Sequence, residues 1–289
     1  MVVKKATLAK YHSHFNRFFV WAESNELNLQ SPEDIDASAA NFIESLWADG
    51  FGKAEGSYLL AALQHMVPSL KNQLPLSWRL MKTWTKNELP TRAVPLGAQT
   101  VLAFAGLFWA WNEHALAAGI LIAFDLFLRT GELFCIRRSD VEFFTGGATV
   151  QLLGTKSSAR QLHSERILIW DKVALRALRF LCHGKAPPDR LVDSSAVRFR
   201  SLWHRAVAFF LLQDFYILPY SLRRGGATSA FRAGVTFDQL LVRGRWSHQR
   251  TARIYLDEAL QQSASLMFSA SSKARLRWGR SQLPPGLCH

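Results

Sequence analysis

Residues 244–255 have the sequence GRWSHQRTARIY, in which Trp246 lies nine residues before Tyr255. Three other short stretches precede this one at well-separated positions. They are Leu128-Arg129-Thr130-Gly131-Glu132-Leu133, then Leu153-Gly154-Thr155-Lys156, and finally Tyr220-Ser221-Leu222-Arg223. Taken alone, each stretch has an ordinary structural explanation, such as a charged helix end, a solvated turn lysine or a pair of core aromatics. Their occurrence in one chain, in this order, suggests instead that they form one site.

The positive charge of the chain is concentrated in its second part. The 289 residues contain 35 Lys and Arg and 22 Asp and Glu, which gives a formal net charge of +13. Residues 1–97 contain 10 basic and 9 acidic side chains, so a net charge of +12 falls on residues 98–289. A globular region this basic is typical of proteins with a polyanionic partner, and nucleic acid is the first candidate.

Several other classes of protein are disfavoured by the sequence. The longest apolar stretches, Val101–Trp111 and Ala115–Phe124, are far shorter than the roughly 20 residues of a membrane-spanning helix. The N-terminal residues lack the features of a secretory signal. Three scattered cysteines without a CxxC motif argue against a disulfide framework and a zinc site. We therefore expect an intracellular protein that makes no membrane contact.

Hydrophobic periodicity predicts a helical first part. Apolar residues recur at helical spacing in four runs within residues 1–89, of which the second ends at Gly50 and the third at Pro68. These runs predict a small four-helix domain. Residues 90–97 contain two prolines and little periodicity, so we expect an interdomain linker there.

The second part, residues 98–289, shows mixed patterns. Two apolar helices are expected at about 98–111 and 114–129, and helical patterns resume at about 171–183 and 195–213. Between them lie three short β-rich runs, Val141–Phe144, Ala148–Leu153 and Arg166–Trp170. The sequence therefore predicts a mainly α (α+β) protein whose second domain contains a small antiparallel three-stranded sheet.

The ordered motifs resemble those of the tyrosine recombinase (phage integrase) family, and the resemblance covers nearly the whole chain. The family has a first arginine in a GLRxxEL-like motif, matched by Arg129, and a lysine between its second and third strands, matched by Lys156. Its HxxR box matches Tyr220 to Arg223, with tyrosine in place of the usual histidine. A His or Trp nine residues before the tyrosine nucleophile matches Trp246 and Tyr255.

The resemblance implies a role for each part of the chain. Residues 1–89 would form a SAM-like core-binding domain that clamps DNA, and residues 98–289 the catalytic domain with a basic C-terminal tail. The expected catalytic residues are Arg129, Lys156, Tyr220, Arg223, Trp246 and Tyr255, with Glu132 as a structural partner. The residues expected to contact DNA are Arg224, Arg243, Arg245, His248 and Arg250.

These residue types suit phosphodiester chemistry. The guanidiniums of Arg129 and Arg223 match the geometry of phosphate oxygens and stay charged at any working pH, so no metal or other cofactor is expected. Tyr255 can form a covalent phosphotyrosine, while Lys156 can give a proton to the leaving 5′ oxygen. Trp246 can donate one hydrogen bond through its indole N–H.

We therefore expect a site-specific DNA recombinase or integrase of a mobile element, which cleaves and rejoins double-stranded DNA as a homo-tetramer. It would be DNA-associated inside the cell, in a eukaryotic nucleus or in the bacterial cytoplasm and nucleoid. Two alternatives stay open. One is a catalytically impaired DNA-binding protein on the same scaffold, favoured by Tyr220 in the histidine position. The other is a nicking-closing enzyme similar to type IB topoisomerases.

Overall fold

The computed structural model describes residues 3–88, 92–152 and 165–288. The chain divides into two compact units, Met1–Thr91 and Arg92–His289. Each unit has its own hydrophobic core.

In residues 3–88 of the first unit, all regular structure is helical. Its helices are α1 (Lys5–Ser24), α2 (Pro32–Ala48), α3 (Ala54–Met66) and α4 (Pro75–Asn87), with a 3₁₀ turn at Pro68–Leu70. Phe18, Phe42 and Leu59 are buried in its core. The buried carboxylate of Asp36 accepts hydrogen bonds from the backbone N–H groups of Leu76 and Ser77 in the first turn of α4. This contact satisfies donors that a helix N-terminus leaves free and fixes α2 against α4.

The second unit contains the remaining helices and the sheet. The helices are α5 (Ala98–Ala110), α6 (His114–Asp125), α7 (Thr130–Leu133), α8 (Lys172–Cys182), α9 (Ala196–Phe209), α10 (Tyr220–Arg232), α11 (Phe237–Gly244), α12 (Gln249–Arg253), α13 (Glu258–Met267), α14 (Ala270–Ser281) and α15 (Pro285–Cys288). A 3₁₀ turn at Arg138–Asp140 precedes the sheet.

Three antiparallel strands form the sheet, in the order β1 (Val141–Phe144), β2 (Gly147–Leu152) and β3 (Glu165–Ile169). Val150 of β2 pairs with Val141 on one side and with Ile167 on the other, and all three side chains are buried. Gly146 adopts a φ of 83° in the tight turn between β1 and β2, which glycine tolerates without steric cost. The prediction of a mainly α chain with a small antiparallel three-stranded sheet is confirmed.

Helices α5 and α6 form the centre of the second unit. Residues 103–108 and 116–123 are all buried, which explains why both segments are apolar on every side. Helix α14 packs against α5 at very short range, since a Cβ atom on Gly106 would lie 1.8 Å from the carbonyl oxygen of Gly279. Among the described residues, no helix has the length and apolar character required to cross a membrane.

Most of the segment expected to be a linker is part of the second unit. Residues 90 and 91 lie outside the described residues, but Ala93, Val94 and Leu96 are buried. The backbone N–H of Val94 donates to the carbonyl of Tyr216 (2.9 Å), and that of Leu96 to Ser221 (3.3 Å). Pro95, one of the two prolines that suggested a linker, lies between the buried residues Val94 and Leu96.

Candidate active site

The C-terminus of α6 determines where the candidate site forms. The helix ends at Asp125, so the expected continuation to residue 129 is wrong. Phe127 adopts the left-handed conformation with a φ of 49°, and the N–H of Leu128 donates back to the carbonyl of Ala123 (3.0 Å). This is the Schellman pattern, which reverses the chain. Arg129 consequently precedes α7 as its N-cap residue instead of ending α6.

Glu132 connects three arginines. Its carboxylate accepts hydrogen bonds from the backbone N–H of Arg129 (2.8 Å) and from Nη1 of the same residue (2.6 Å). It also accepts from Nη2 of Arg245 at 2.8 Å, and it lies 3.8 Å from Nη1 of Arg223. Burial alone raises the pKa of this carboxyl, but Arg245 and Arg129 outweigh that effect and hold the pKa below its ordinary value. Glu132 is therefore an ionised structural partner of the arginines.

Arg129 is the more accessible arginine of the expected pair. About a third of its side chain, 33%, is exposed. Burial lowers its pKa, but the adjacent carboxylate of Glu132 raises it further and leaves the net shift upward. The group is thus a permanent cation with a solvent-facing side.

Arg223 lies in the first turn of α10 and is fully buried. Its Nη1 donates to the carbonyl of Phe127 and its Nη2 to that of Gly244 (2.6 Å). These carbonyls lie at the C-terminal ends of α6 and α11, where helix dipoles favour a cation. Burial lowers the pKa of Arg223, as does the charge of Arg129. The two helix ends stabilise the charge that burial disfavours.

Trp246 follows the end of α11 and packs against this guanidinium. The Cζ atom of Arg223 lies 5.2 Å from the Trp246 ring centre and 5.3 Å from that of Tyr255. The two rings are 4.6 Å apart between centroids, and both are buried. The indole N–H of Trp246 faces the Tyr255 hydroxyl closely enough to help lower the pKa of Tyr255. Gly244 is required here because a Cβ atom would lie 2.1 Å from the Trp246 ring.

The hydroxyl of Tyr220 donates a hydrogen bond to the hydroxyl of Tyr255. Burial raises the pKa of Tyr255, but the hydrogen bond from Tyr220 and the charge of Arg223 together lower it below the ordinary value. For Tyr220, burial and the same hydrogen bond raise the pKa. Because the Arg223 guanidinium lies against its ring, Tyr255 is the phenol whose ionised form is favoured, and Tyr220 donates to it.

Residues expected to contact DNA occupy three different environments. His248 and Arg250 are exposed. Arg243 pairs with Asp125 at 2.8 Å and also donates to its backbone carbonyl. The other two, Arg224 and Arg245, have side chains only 3% and 4% exposed. Arg224 donates to the carbonyls of Ala93 and Ile254, so its side chain binds backbone within the unit and does not reach the surface.

The structure thus brings together five of the six expected catalytic residues: Arg129, Tyr220, Arg223, Trp246 and Tyr255. The sixth, Lys156, lies outside the described residues, and its role stays a prediction.

Sequence reasoning missed Thr228. Its side chain is buried on α10 and its hydroxyl donates to the backbone carbonyl of Tyr255 (3.1 Å). This contact fixes the backbone of Tyr255. No local sequence signal identifies it, because a threonine inside a helix is common and its partner is distant in the chain.

Acidic, histidine and cysteine side chains do not gather into a metal site in the part of the chain that the structure describes. Within residues 3–88, 92–152 and 165–288, no three of these groups are close enough together to hold a metal ion.

Comparison with known proteins identifies relatives by structure only. No protein-family model matches the chain, and no curated protein sequence does. Among solved structures, the integrase of the Tn1549 transposon, in complex with transposon right end DNA, matches with a TM-score of 0.60 and 14% identity. That match covers 91% of this chain and 93% of the integrase chain.

A second similar structure is XerH, a site-specific recombinase bound to its difH substrate in a pre-cleavage complex. It matches with a TM-score of 0.53 and 14% identity over 90% of this chain and 78% of that one. At such identities the likeness concerns the fold. The architecture, with its helical units and three-stranded sheet, is therefore that of the tyrosine recombinases: this chain has the tyrosine recombinase fold.

Proposed function

We propose that the chain cleaves and rejoins DNA strands through a covalent link to Tyr255. The observation that carries the proposal is the placement of the Tyr255 hydroxyl. It accepts a hydrogen bond from Tyr220, and its ring lies against the buried guanidinium of Arg223. The fold supports this reading, since the Tn1549 integrase and XerH structures both contain DNA.

In the proposed reaction, Tyr255 first gives its phenolic proton to solvent, and the resulting phenolate oxygen attacks a backbone phosphorus. A bond forms between that oxygen and phosphorus, and the bond from phosphorus to the 5′ oxygen breaks. The 5′ oxygen leaves as a hydroxyl after taking up a proton, for which we propose Lys156 as the donor. In the rejoining step a 5′ hydroxyl gives its proton back to Lys156 and bonds to the phosphorus, while the bond from phosphorus to the Tyr255 oxygen breaks and releases Tyr255 as a phenolate.

The arginines stabilise the negative charge that develops on the phosphate oxygens. Arg129 suits direct contact because part of its side chain is exposed beside the Tyr220–Tyr255 pair. Arg223 contributes its positive charge from beneath the Tyr255 ring. Fixed cations in a partly buried site lower the free energy of such a transition state more than mobile ions in water do.

A nicked suicide substrate tests this proposal. Such DNA loses a short fragment on cleavage, so the covalent protein–DNA adduct persists and can be detected on a denaturing gel. We expect an adduct with the wild-type chain, also in the presence of EDTA, and none with Tyr255→Phe. Tyr216→Phe is the matched control, because Tyr216 is a half-exposed tyrosine outside the site. An adduct that survives in Tyr255→Phe would contradict the assignment of the nucleophile.

Arg223 also supports a second candidate function, that of a DNA-binding protein without strand cleavage. Both terminal nitrogens of this residue donate to backbone carbonyls, and the side chain is fully buried. Without rearrangement, this arginine would act as a structural ion instead of a phosphate ligand. Salt-sensitive DNA binding with no adduct, on the substrate that contains its own site, would favour this function.

The leading proposal extends to the partner, the assembly and the genetic setting of the chain. We propose double-stranded DNA as the partner, a homo-tetramer as the active assembly and a mobile element as the genetic setting. Sedimentation of the chain with and without DNA tests the assembly, since four protomers should assemble only on paired sites.

A further inference from the structure

Arg245 has a backbone conformation that is unusual for its residue type. It follows α11 with φ 56° and ψ 45°, in the left-handed region. Glycine occupies this position at many helix ends because a Cβ atom is disfavoured there. An arginine that carries this steric cost indicates that its side chain makes a compensating contribution.

The side chain of Arg245 joins three separate parts of the second unit. Its Nη2 donates to Glu132 of α7 at 2.8 Å and to the carbonyl of Phe127 at 3.2 Å. Its Nη1 donates to the carbonyl of Leu126 at 3.2 Å. Its Nε lies 3.3 Å from a carboxylate oxygen of Glu165, the first residue of β3. Only 4% of the side chain is exposed, so direct contact with DNA is disfavoured.

The contact with Glu132 matters most for the candidate site. One oxygen of Glu132, Oε2, is the acceptor for Arg245 and is also the atom 3.8 Å from Arg223. If Arg245 were removed, the Glu132 carboxylate would keep two cations, Arg129 at its other oxygen (2.6 Å) and Arg223 at 3.8 Å from Oε2. The negative charge of Glu132 would then act on Arg223, whose own charge lowers the pKa of Tyr255.

We infer that Arg245 is a positioning residue. It helps to neutralise Glu132 and holds together the end of α6, α7 and the start of β3. As a result, Arg129 remains available to the phosphate and Arg223 to Tyr255. This inference rests on the proposed function. It replaces the sequence-based expectation that Arg245 contacts DNA.

The test compares Arg245→Gly with Arg245→Lys. Glycine removes the side chain and suits the left-handed backbone, so this variant separates loss of the guanidinium from backbone strain. Lysine keeps the charge but loses the planar, multidentate geometry. Arg200→Ala is the control, because it removes one exposed arginine from α9 outside the site.

For Arg245→Gly we expect DNA affinity within about threefold of wild type, because the side chain is buried. The single-turnover rate of adduct formation should fall at least 30-fold, with an intermediate rate for Arg245→Lys and no change for Arg200→Ala. Added methylguanidinium should restore part of the rate of Arg245→Gly. A wild-type rate in Arg245→Gly, or a loss of affinity that accounts for the whole effect, would overturn the inference.

A second measurement keeps this inference separate from the proposed function. If the wild-type chain forms no adduct, the proposed function fails, and the inference is tested by NMR titration of ¹³Cζ-labelled tyrosines, with Tyr255 assigned from its absence in Tyr255→Phe. The pKa of Tyr255 should be higher in Arg245→Gly than in wild type. An unchanged pKa would refute the role of Arg245. If Arg245→Gly does not fold, the same titration on Arg245→Lys and Glu165→Gln decides.

Discussion

The hydrogen bond between Tyr220 and Tyr255 has a direction that assigns different roles to two identical side chains. Tyr220 donates and Tyr255 accepts. A donor stabilises the phenolate of its acceptor, so the pKa of Tyr255 falls while that of Tyr220 rises. Tyr220 stands where the HxxR motif usually has histidine, and under the proposed function its hydrogen bond reaches the proposed nucleophile, Tyr255.

This direction predicts the pH dependence of cleavage in Tyr220→Phe. Loss of the donor raises the pKa of Tyr255, so the rate, which increases with pH as the phenolate forms, should reach its plateau at a higher pH than in wild type. A hydrogen bond to a charged group contributes about 1.5 kcal/mol or more, which corresponds to at least a roughly tenfold lower rate at neutral pH. The rate of adduct formation in a single turnover, followed between pH 6 and 10, measures this pH dependence.

Tyr220→His is the informative companion of this variant. Histidine also carries an N–H donor, so its pH profile should lie nearer to wild type than that of Tyr220→Phe. Superimposable profiles for Tyr220→Phe and wild type would show that the hydrogen bond does not influence the nucleophile.

At the scale of secondary-structure elements, helix ends organise the site. Helices α6 and α11 both end in a left-handed residue that is not glycine, Phe127 and Arg245, and Arg223 donates to a carbonyl near each end. The free carbonyls of a helix C-terminus carry partial negative charge, and a buried guanidinium satisfies several of them at once. Arg223, which the sequence suggests only as a phosphate-binding residue, thus also stabilises the fold.

The longer helices up to residue 213 and the three strands could be predicted from sequence, because apolar residues recur at helical spacing in the former and short β-rich runs mark the latter. The end of α6 could not, since neither glycine, asparagine nor proline marks the turn at Phe127. The motif order correctly grouped Arg223, Trp246 and Tyr255 in space. The burial of Arg224 and Arg245 was not predictable, because their acceptors are carbonyls and carboxylates from distant parts of the chain.

The contact between α5 and α14 yields a prediction about stability. A Cβ atom on Gly106 would lie 1.8 Å from the carbonyl oxygen of Gly279, which is backbone and cannot move aside without shifting α14. Gly106→Ala should therefore reduce the free energy of unfolding by about 2 kcal/mol or more, the range for overpacked cores. Urea unfolding followed by circular dichroism measures the change.

Gly131→Ala is the matched control for this prediction. Gly131 is also helical, and a Cβ atom there meets no atom within 4 Å. Alanine should be neutral or stabilise by up to about 1 kcal/mol, because it restricts the unfolded chain. Equal stability of the Gly106→Ala and Gly131→Ala variants would indicate that α14 does not pack against α5 this closely in solution.

At the scale of the whole molecule, the basic side chains of residues 98–289 fall into two groups: those bonded within the unit and those exposed to a DNA partner. Residues 98–289 carry a net charge of +12, but Arg223, Arg224 and Arg245 are buried and bonded to groups of the unit itself. Net charge therefore overstates the number of cations that can meet phosphates. Exposed residues such as Arg250 are the better candidates for that contact.

The salt dependence of DNA binding distinguishes specific contacts from overall charge. Each phosphate contact that is lost should reduce the slope of log K against log salt by about 1, so Arg250→Ala should bind more weakly at low salt and with a shallower slope.

Arg198→Ala removes the same charge but should leave the slope unchanged. Arg198 pairs with Glu113, next to the N-terminus of α6, and a helix of this length separates that end from the candidate site by roughly 17 Å. Fluorescence anisotropy of labelled duplex DNA between 50 and 300 mM salt provides the measurement. Equal slope changes in both variants would mean that the chain binds DNA through its net charge and not through a surface beside Tyr255.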